Sequence, residues 1–335
     1  MVKFNLRIWF AALFLFALSV VPIIALQIGD TYFITLFSRI MILGMAAVGL
    51  NLVLGFGGLV SLGHALYIGM GAYAVGVMSF HGLNNAWLQL FVAMFCGAIV
   101  ALLLGAVALR TKGLSFIMIT LAFAQMAYYV AVGLRQYGGE DGMALNQRSD
   151  FVFFSVKNEI QLYYLIFVVL LVIIYVLTRL INSRFGLVLR GSKHNLGRMT
   201  ALGYPILRYR LVAYLISALI CVLAGFFLAN VAKYVAPSYM SWHVSAEIIV
   251  MAVLGGMGTV LGPLVGATAL LAFEEFLLTV NFGLPWGLDA YINSHFLAII
   301  GIMVVVIAWS LQQGLYGSLY GREQRQKHAD SQESY

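Results

Sequence analysis

Residues 54–73, LGFGGLVSLGHALYIGMGAY, contain six glycines and one histidine but no charged side chain. In water, each glycine destabilises a helix by about 1 kcal/mol relative to alanine. In a lipid bilayer the hydrophobic effect does not drive helices together, and small residues promote association because they let helix backbones approach closely. The stretch therefore predicts membrane helices that pack through glycine, with a break wherever glycines cluster.

The composition of the whole chain supports a membrane location. Of 335 residues, 63% are hydrophobic and 9% are charged, whereas soluble domains are about a quarter charged. Apolar runs of about 20 residues, the length that a spanning helix needs, recur along the chain. The sequence predicts an all-α, polytopic integral membrane protein. Its transmembrane domain covers residues 1–318, and a polar cytoplasmic tail over 319–335 is expected to be disordered.

The apolar runs predict between eight and ten spans. The count depends on the glycine-rich stretches 55–79 and 245–281, each of which is compatible with one long span, two half-helices or a re-entrant pair. With both stretches divided, the predicted spans are 8–27, 32–54, 58–79, 87–109, 114–134, 161–181, 211–231, 245–264, 265–281 and 296–315.

The positions of the basic residues predict the orientation. With the N-terminus inside, Arg39 lies within a span and four basic residues fall outside the cell: Arg135, Arg148, Lys157 and Lys233. The other fourteen of the 19 Lys and Arg residues then face the cytoplasm. Because cytoplasmic loops carry an excess of Lys and Arg, both termini are expected in the cytoplasm.

Two glycine clusters are too dense for regular helices. Residues 55–58 read GFGG, and residues 255–258 read GGMG with Pro263 following. Interrupted hydrophobic segments in the two halves of a membrane protein point to a translocation site. Broken backbone at membrane depth is tolerated only where it is buried or lines a cavity. The candidate residues for a translocation path or for helix packing are Asn51, Gly58, Ser61, His64, Gly69, Gln125, Glu247, Gly255, Gly258 and Gly262.

Asn51, His64, Gln125 and Glu247 are larger polar side chains within apolar runs. Glu247 should face protein or water, because a charge at the bilayer centre costs about 2.5–3.5 kcal/mol. It belongs either to the path or, if its helix starts just after Ser245, to the outer surface, where it would complement the helix N-terminus. His64 has no second ligand at metal-binding spacing, which favours a hydrogen-bonded histidine over a metal site.

The sequence shows no signature of catalysis. It has no catalytic residue cluster, no metal-ligand cluster and no cofactor motif. It also lacks the GxxxxGK[ST] loop that cradles nucleotide phosphates. Any ATP chemistry must therefore belong to a partner subunit, and the chain itself is expected to be no enzyme.

The longest cytoplasmic connection, residues 182–210, contains no acidic residue. A short helix over residues 192–203 is predicted, with Ser192 or Asn195 as its cap and Gly203 at its end. Its apolar face could lie on anionic lipid headgroups or dock, as a coupling helix, into a cytoplasmic motor subunit. The candidate coupling residues are Arg190, Lys193, Arg198, Met199, Leu202 and Gly203.

The ordered motifs resemble one family. LNLVL at 50–54 with the glycine stretch up to residue 73, TLAFAQM at 120–126, GGEDG at 138–142, SRFG at 183–186, ALGY at 201–204 and AEIIVMAVLGGMGTVLGPLVGA at 246–267 are similar to branched-chain amino acid ABC importer permeases of the LivM type. The resemblance covers most of residues 40–275. One departure is KHNL at 193–196, where relatives tend to have acidic residues.

The resemblance implies an all-helical permease subunit in a bacterial cytoplasmic membrane. Its implied partners are a paralogous permease, two ATPase subunits that bind ATP and Mg²⁺, and an extracytoplasmic solute-binding protein. Because family members also import urea, amides or aromatic acids, the solute is not named by the resemblance. The charge-poor interior suits a small neutral or zwitterionic solute.

Three hypotheses follow, in order of preference. The first is the permease subunit of an ABC importer that moves branched-chain amino acids or a similar small polar solute into the cytoplasm. The second is a stand-alone, ion-coupled secondary transporter of amino acids in which Glu247, Glu274 or Glu275 carries a proton or sodium ion. The third is a structural membrane subunit, whose glycine segments would tolerate substitution.

Overall fold

The computed structural model describes residues 6–29, 31–145, 147–151, 158–279, 296–310 and 314–317. The tail predicted over 319–335 lies outside the described residues. The helices of the described ranges are α1 (Leu6–Ile28), α2 (Tyr32–Asn51), α3 (His64–Phe80), α4 (Ala86–Ala108), α5 (Leu114–Gly133), α6 (Glu159–Ile181), α7 (Arg184–His194), α8 (Leu196–Ala201), α9 (Ile206–Ala232), α10 (Trp242–Gly255), α11 (Gly262–Thr279) and α12 (Phe296–Ser310).

These helices confirm the predicted all-α, polytopic class. Within the described ranges, seven helices are long and apolar enough to span a bilayer: α1, α2 with its π-helical extension, α4, α5, α6, α9 and α11. The apolar helices α3 and α10 are shorter. At 1.5 Å per residue they are roughly 26 and 21 Å long, less than the ~30 Å hydrocarbon thickness. An irregular segment adjoins each of them, residues 57–63 before α3 and residues 256–261 after α10.

The bundle is built around α2 and α9. Helix α9 packs on α2, α3 and α4, and α2 also packs on α6, α10 and α11. Small residues make these contacts close: a Cβ on Gly97 of α4 would lie 2.6 Å from Val222 of α9, and a Cβ on Gly71 of α3 would lie 2.0 Å from the Val222 carbonyl. The predicted packing through glycine is thereby confirmed at the centre of the fold.

One end of the bundle carries the connections that follow α5 and α9, which contain two short strands. The two-residue strands β1 (Met143–Ala144) and β2 (Tyr234–Val235) pair antiparallel. Arg148, in the segment before α6, forms an ion pair with Glu159 at 3.2 Å. The opposite end carries α7 and α8.

Two predicted boundaries are wrong. The span predicted over 58–79 becomes helical only at His64, and the one predicted over 245–264 ends at Gly255. At both positions the apolar pattern continues past the true boundary, and local backbone geometry, rather than hydrophobicity, sets the end of the helix. The short helix predicted between a cap at Ser192 or Asn195 and Gly203 is present as α8, which begins after Asn195.

Candidate functional site

The first helix break separates α2 from α3. After Asn51 the backbone widens into a π-helical turn, Leu52–Phe56, and then runs irregularly to Gly63. Gly58 has a φ of +69°, a conformation that side chains with a Cβ rarely adopt. π-Helical turns occur frequently at functional sites. The predicted interruption at 55–58 is therefore present, and Gly58 permits the change of backbone direction that ends the helix.

The start of α3 is held by side chains from other helices. The first backbone N–H groups of a helix have no partner within it. Here the Leu62 N–H donates to Thr120 Oγ1 of α5 at 3.2 Å, and the Ala65 N–H donates to Ser245 Oγ of α10 at 2.9 Å. The position of the break is thus fixed by α5 and α10 as well as by its own backbone.

His64 is fully buried and hydrogen-bonded at both ring nitrogens. Its Nε2 lies 2.9 Å from Ser217 Oγ, and its Nδ1 lies 3.0 Å from Ser61 Oγ. The Ser217 hydroxyl donates its proton to the Gly49 carbonyl at 2.6 Å, so it accepts from His64, and Nε2 carries the hydrogen. In the neutral ring, Nδ1 then accepts from Ser61. This network joins α2, α3 and α9.

Ser217→Ala is expected to destabilise the bundle. It leaves both the His64 N–H and the Gly49 carbonyl without this partner, and an unsatisfied buried group costs about 1–3 kcal/mol. A thermal unfolding curve of the purified chain in detergent should shift to lower temperature. Ser19→Ala is the control, because that hydroxyl donates to the Phe16 carbonyl within its own helix. Equal shifts in the two variants would contradict a structural role for the network.

The second helix break separates α10 from α11. Gly258 has a φ of +83°, and the Thr259 hydroxyl donates to the Gly256 carbonyl at 2.9 Å. The Gly262 N–H in turn donates to Thr259 Oγ1 at 3.2 Å. Pro263 follows in the first turn of α11, where its missing N–H costs nothing. This stretch therefore forms a stable turn between two helices.

Helices α10 and α11 touch through their backbones. A Cβ on Gly255 would lie 1.8 Å from the Gly262 carbonyl oxygen, and one on Gly266 would lie 2.0 Å from the Met251 carbonyl oxygen. No side chain can be accommodated at such distances. Gly255 and Gly266 are thus required for the two helices to pack this closely.

Asn51 joins the two breaks. Its Nδ2 donates to the Thr259 carbonyl at 2.7 Å, and its Oδ1 accepts the Gly258 N–H at 3.2 Å. The side chain is 1% exposed. A Cβ on Gly55 would lie 2.6 Å from the Gly258 nitrogen, so the two backbones are in direct contact. The structure therefore brings both predicted interruptions together at one buried joint.

The remaining path candidates lie away from this joint. A Cβ on Gly69 would lie 2.0 Å from Met240 Cγ, which makes Gly69 a packing residue. Gln125 of α5 is half-buried, and among the described residues it forms no hydrogen bond to either break. Glu247 is also half-buried. Because α10 begins at Trp242, Glu247 lies beyond the first turn, and its predicted alternative role at the helix N-terminus is wrong.

The coupling candidates divide into inward and outward groups. Asn195, and not Ser192, caps α8 by accepting the Arg198 N–H at 2.9 Å. The Arg190 guanidinium donates to the Ile181 carbonyl at 3.0 Å, and the Lys193 amino group donates to the Gly55 carbonyl at 2.8 Å. Arg198, Leu202 and Gly203 are exposed, and so is Lys193 despite its hydrogen bond to Gly55. Met199 is half-buried, and its sulfur is the atom nearest to a Cβ on Gly191.

Several residues that hold the two breaks are absent from the sequence-based list. Thr120, Ser217 and Ser245 hold the first break, and Thr259 shapes the second. Ser and Thr within apolar runs often hydrogen-bond across helices in membranes, so their position in spans was the available signal. The inward direction of Lys193 had no signal in the sequence.

Comparisons with known proteins agree with this architecture. The family described as "Branched-chain amino acid transport system / permease component" matches residues 32–313. The high-affinity branched-chain amino acid transport system permease proteins LivM of Salmonella typhimurium and Escherichia coli are each 26% identical over 327 residues, covering 90% of this chain and 74% of theirs. No solved structure gives a significant match.

Interrupted hydrophobic helices that meet inside an all-α bundle are a feature of membrane transporters. Within the described ranges, no group of three or more His, Cys, Asp or Glu residues could hold a metal ion. The chain belongs to the family of branched-chain amino acid transport system permease components. It is accordingly a transport component and not an enzyme.

Proposed function

We propose that the chain is the membrane-spanning permease subunit of an ATP-binding-cassette importer. The observation that carries this proposal is the joint at Asn51, where two interrupted helices meet inside a charge-poor bundle. Interrupted helices at such a place line translocation sites in other transporters. The path is proposed to run beside the breaks at 52–63 and 256–261.

The proposed solute is a branched-chain amino acid or a similar small polar molecule. Both similar LivM proteins carry branched-chain amino acid transport in their names. The side chains that form the joint, Asn51 and Thr259, contribute an amide and a hydroxyl, and the amino group of Lys193 beside them is hydrogen-bonded to the Gly55 carbonyl. Such a surface suits a solute with no net charge, because desolvating a permanent ion inside a bilayer is costly.

The proposed ATPase subunits attach at the end that carries α7 and α8. This end exposes large apolar side chains: Leu187 is 61% exposed and Leu202 is 65% exposed. Such residues suit an ATPase groove, and ATP and Mg²⁺ would bind there and not in this chain. The excess of basic residues on this side supports a cytoplasmic location for it and for both termini in a bacterial inner membrane. A paralogous permease and an extracytoplasmic solute-binding protein complete the proposed assembly.

Affinity purification of the tagged chain in mild detergent tests the assembly. We expect a second permease and ATPase subunits to be recovered with it, and identification of all recovered proteins is the measurement. The control is a tagged membrane protein of another family, expressed in the same cells. A chain that remains alone after gentle extraction would contradict the proposal.

Uptake of radiolabelled leucine into proteoliposomes tests the activity. The recovered assembly, with its binding protein, should accumulate leucine only when ATP is supplied inside the vesicles. Uptake by the chain alone, driven by a proton or sodium gradient and indifferent to ATP, would instead support an ion-coupled secondary transporter.

A further inference from the structure

Lys193 makes a contact that docking to an ATPase does not require. Its amino group donates to the Gly55 carbonyl at 2.8 Å, and its stem lies against Gly58, where a Cβ would be 2.8 Å from Lys193 Cγ. Carbonyls at the end of a helix lack donors within it, and lysine side chains can satisfy them. Lys193 therefore ties the last turn of α7 to the first helix break.

Helix α7 is also tied to its other neighbours. Arg190 donates to the Ile181 carbonyl at the end of α6, at 3.0 Å. Arg210, in α9, donates to the Ser192 carbonyl at 3.2 Å. Hydrogen bonds from charged donors are stronger than neutral ones. Helix α7 is thus expected to move as a unit with the ends of α6 and α9.

The exposed helix α8 packs on α7 and, less extensively, on α9, and Met199 is one of its contacts with α7. A Cβ on Gly191 of α7 would lie 2.8 Å from the Met199 sulfur. On its other side α8 is open, since Arg198 is exposed and Leu202, which follows the helix, is 65% exposed. A partner that displaces α8 would consequently push α7 through Met199.

We propose that Lys193 is a positioning residue that transmits the displacement of α8 to the paired helix breaks. The route runs from Met199 through α7 to the Lys193–Gly55 hydrogen bond, and then across Asn51 to the loop at 256–259. This inference rests on the proposed function, because it requires an ATPase that moves α8. It gives Lys193 a role different from ATPase docking, since its amino group is directed at the permease itself.

The test compares Lys193→Met with Lys193→Arg in the transporter assembled from the chain and its co-purified subunits. Methionine keeps much of the aliphatic stem but cannot donate, whereas arginine can donate to the same carbonyl. For Lys193→Met, leucine imported per ATP hydrolysed should fall by at least about tenfold, as expected for losing a hydrogen bond to a charged group. ATPase recovery and the rate of ATP hydrolysis should be unchanged. Lys193→Arg should retain at least about half of the ratio.

Lys112→Met is the matched control, because Lys112 is an exposed lysine in the connection between α4 and α5. It should leave the ratio unchanged. Three results would overturn the inference: a Lys193→Met ratio within twofold of the unmodified transporter, a loss of ATPase subunits from that variant, or an equal deficit in Lys193→Arg. The last would attribute the effect to packing and not to the hydrogen bond.

A second readout is independent of the solute. Met257 lies in the loop of the second break and is 50% exposed. In a chain with Cys96 and Cys221 replaced by alanine, Met257→Cys can be labelled with a maleimide before and after vanadate trapping of ATP. The labelling rate should differ between the two states, and Lys193→Met should abolish the difference. A labelling difference that persists in Lys193→Met would overturn the inference. If no ATPase is recovered with the unmodified chain, the proposed function itself is wrong.

Discussion

Gly255→Ala is expected to lower the yield of folded permease and its leucine uptake by at least about tenfold, because overpacking a tight contact costs roughly 1–3 kcal/mol or more. The added methyl group would lie 1.8 Å from the Gly262 carbonyl oxygen and 2.8 Å from the Gly266 nitrogen. Backbone atoms on both sides cannot rotate away as a side chain can, so α10 and α11 must separate. The measurement is the monodisperse fraction on size-exclusion chromatography, followed by uptake per recovered protein.

Gly301→Ala is the matched control. It makes the same chemical change in α12, where a Cβ would meet no atom of the described chain within 4 Å. Because alanine is the better helix former, this variant should be as stable as the unmodified chain or slightly more so. Similar behaviour of the two variants would contradict the requirement for backbone contact at Gly255.

The sequence predicts the fold class well because one physical rule governs it. Backbone groups in lipid must be satisfied within helices or barrels, so apolar runs of spanning length identify α1, α2, α4, α5, α6 and α9 to within a few residues. The same rule is silent on where an apolar segment stops being helical. At His64 the start of α3 depends on Thr120 and Ser245, which come from other helices. At Gly255 the end of α10 depends on the positive φ of Gly256, the residue that follows.

The joint itself is only partly readable from the sequence. The glycine clusters mark both breaks, and Asn51 stands out as a polar side chain in an apolar run. Its partners, Gly258 and Thr259, lie 207 and 208 positions further along the chain. Only the tertiary structure reveals this contact. Lys193 is similar: its charge marks the segment as cytoplasmic, but only the packing of α7 reveals that its amino group points inward. The roles of Gln125 and Glu247 in transport stay predictions.

Asn51→Leu is expected to separate the two breaks while the chain still inserts. Leucine has a similar volume but leaves the Gly258 N–H and the Thr259 carbonyl without their partner, at about 1–3 kcal/mol for each buried group. Hydrogen exchange of the peptide covering 256–262 should become about tenfold faster or more, because its local opening costs less. Leucine uptake should fall with it.

Thr178→Val is the control for Asn51→Leu. Its hydroxyl donates to the Ile174 carbonyl in its own helix at 2.6 Å, so its loss should leave exchange at 256–262 and uptake unchanged. Unaltered exchange in Asn51→Leu would show that the glycine contacts alone hold the breaks together.

Asn51→Asp separates the two hydrogen bonds that Asn51 makes. In its ionised form the introduced carboxylate still accepts the Gly258 N–H, but it cannot donate to Thr259, whose carbonyl would then face a negative charge at close range, so the variant is assayed at a pH high enough to ionise it. Exchange at Gly258 should therefore stay slow while uptake is lost, whereas in Asn51→Leu both change. If transport depended only on the Gly258 contact, Asn51→Asp would keep its uptake. Loss of uptake with a protected Gly258 amide would instead assign the transport requirement to the bond with Thr259, the residue that also shapes the turn into α11.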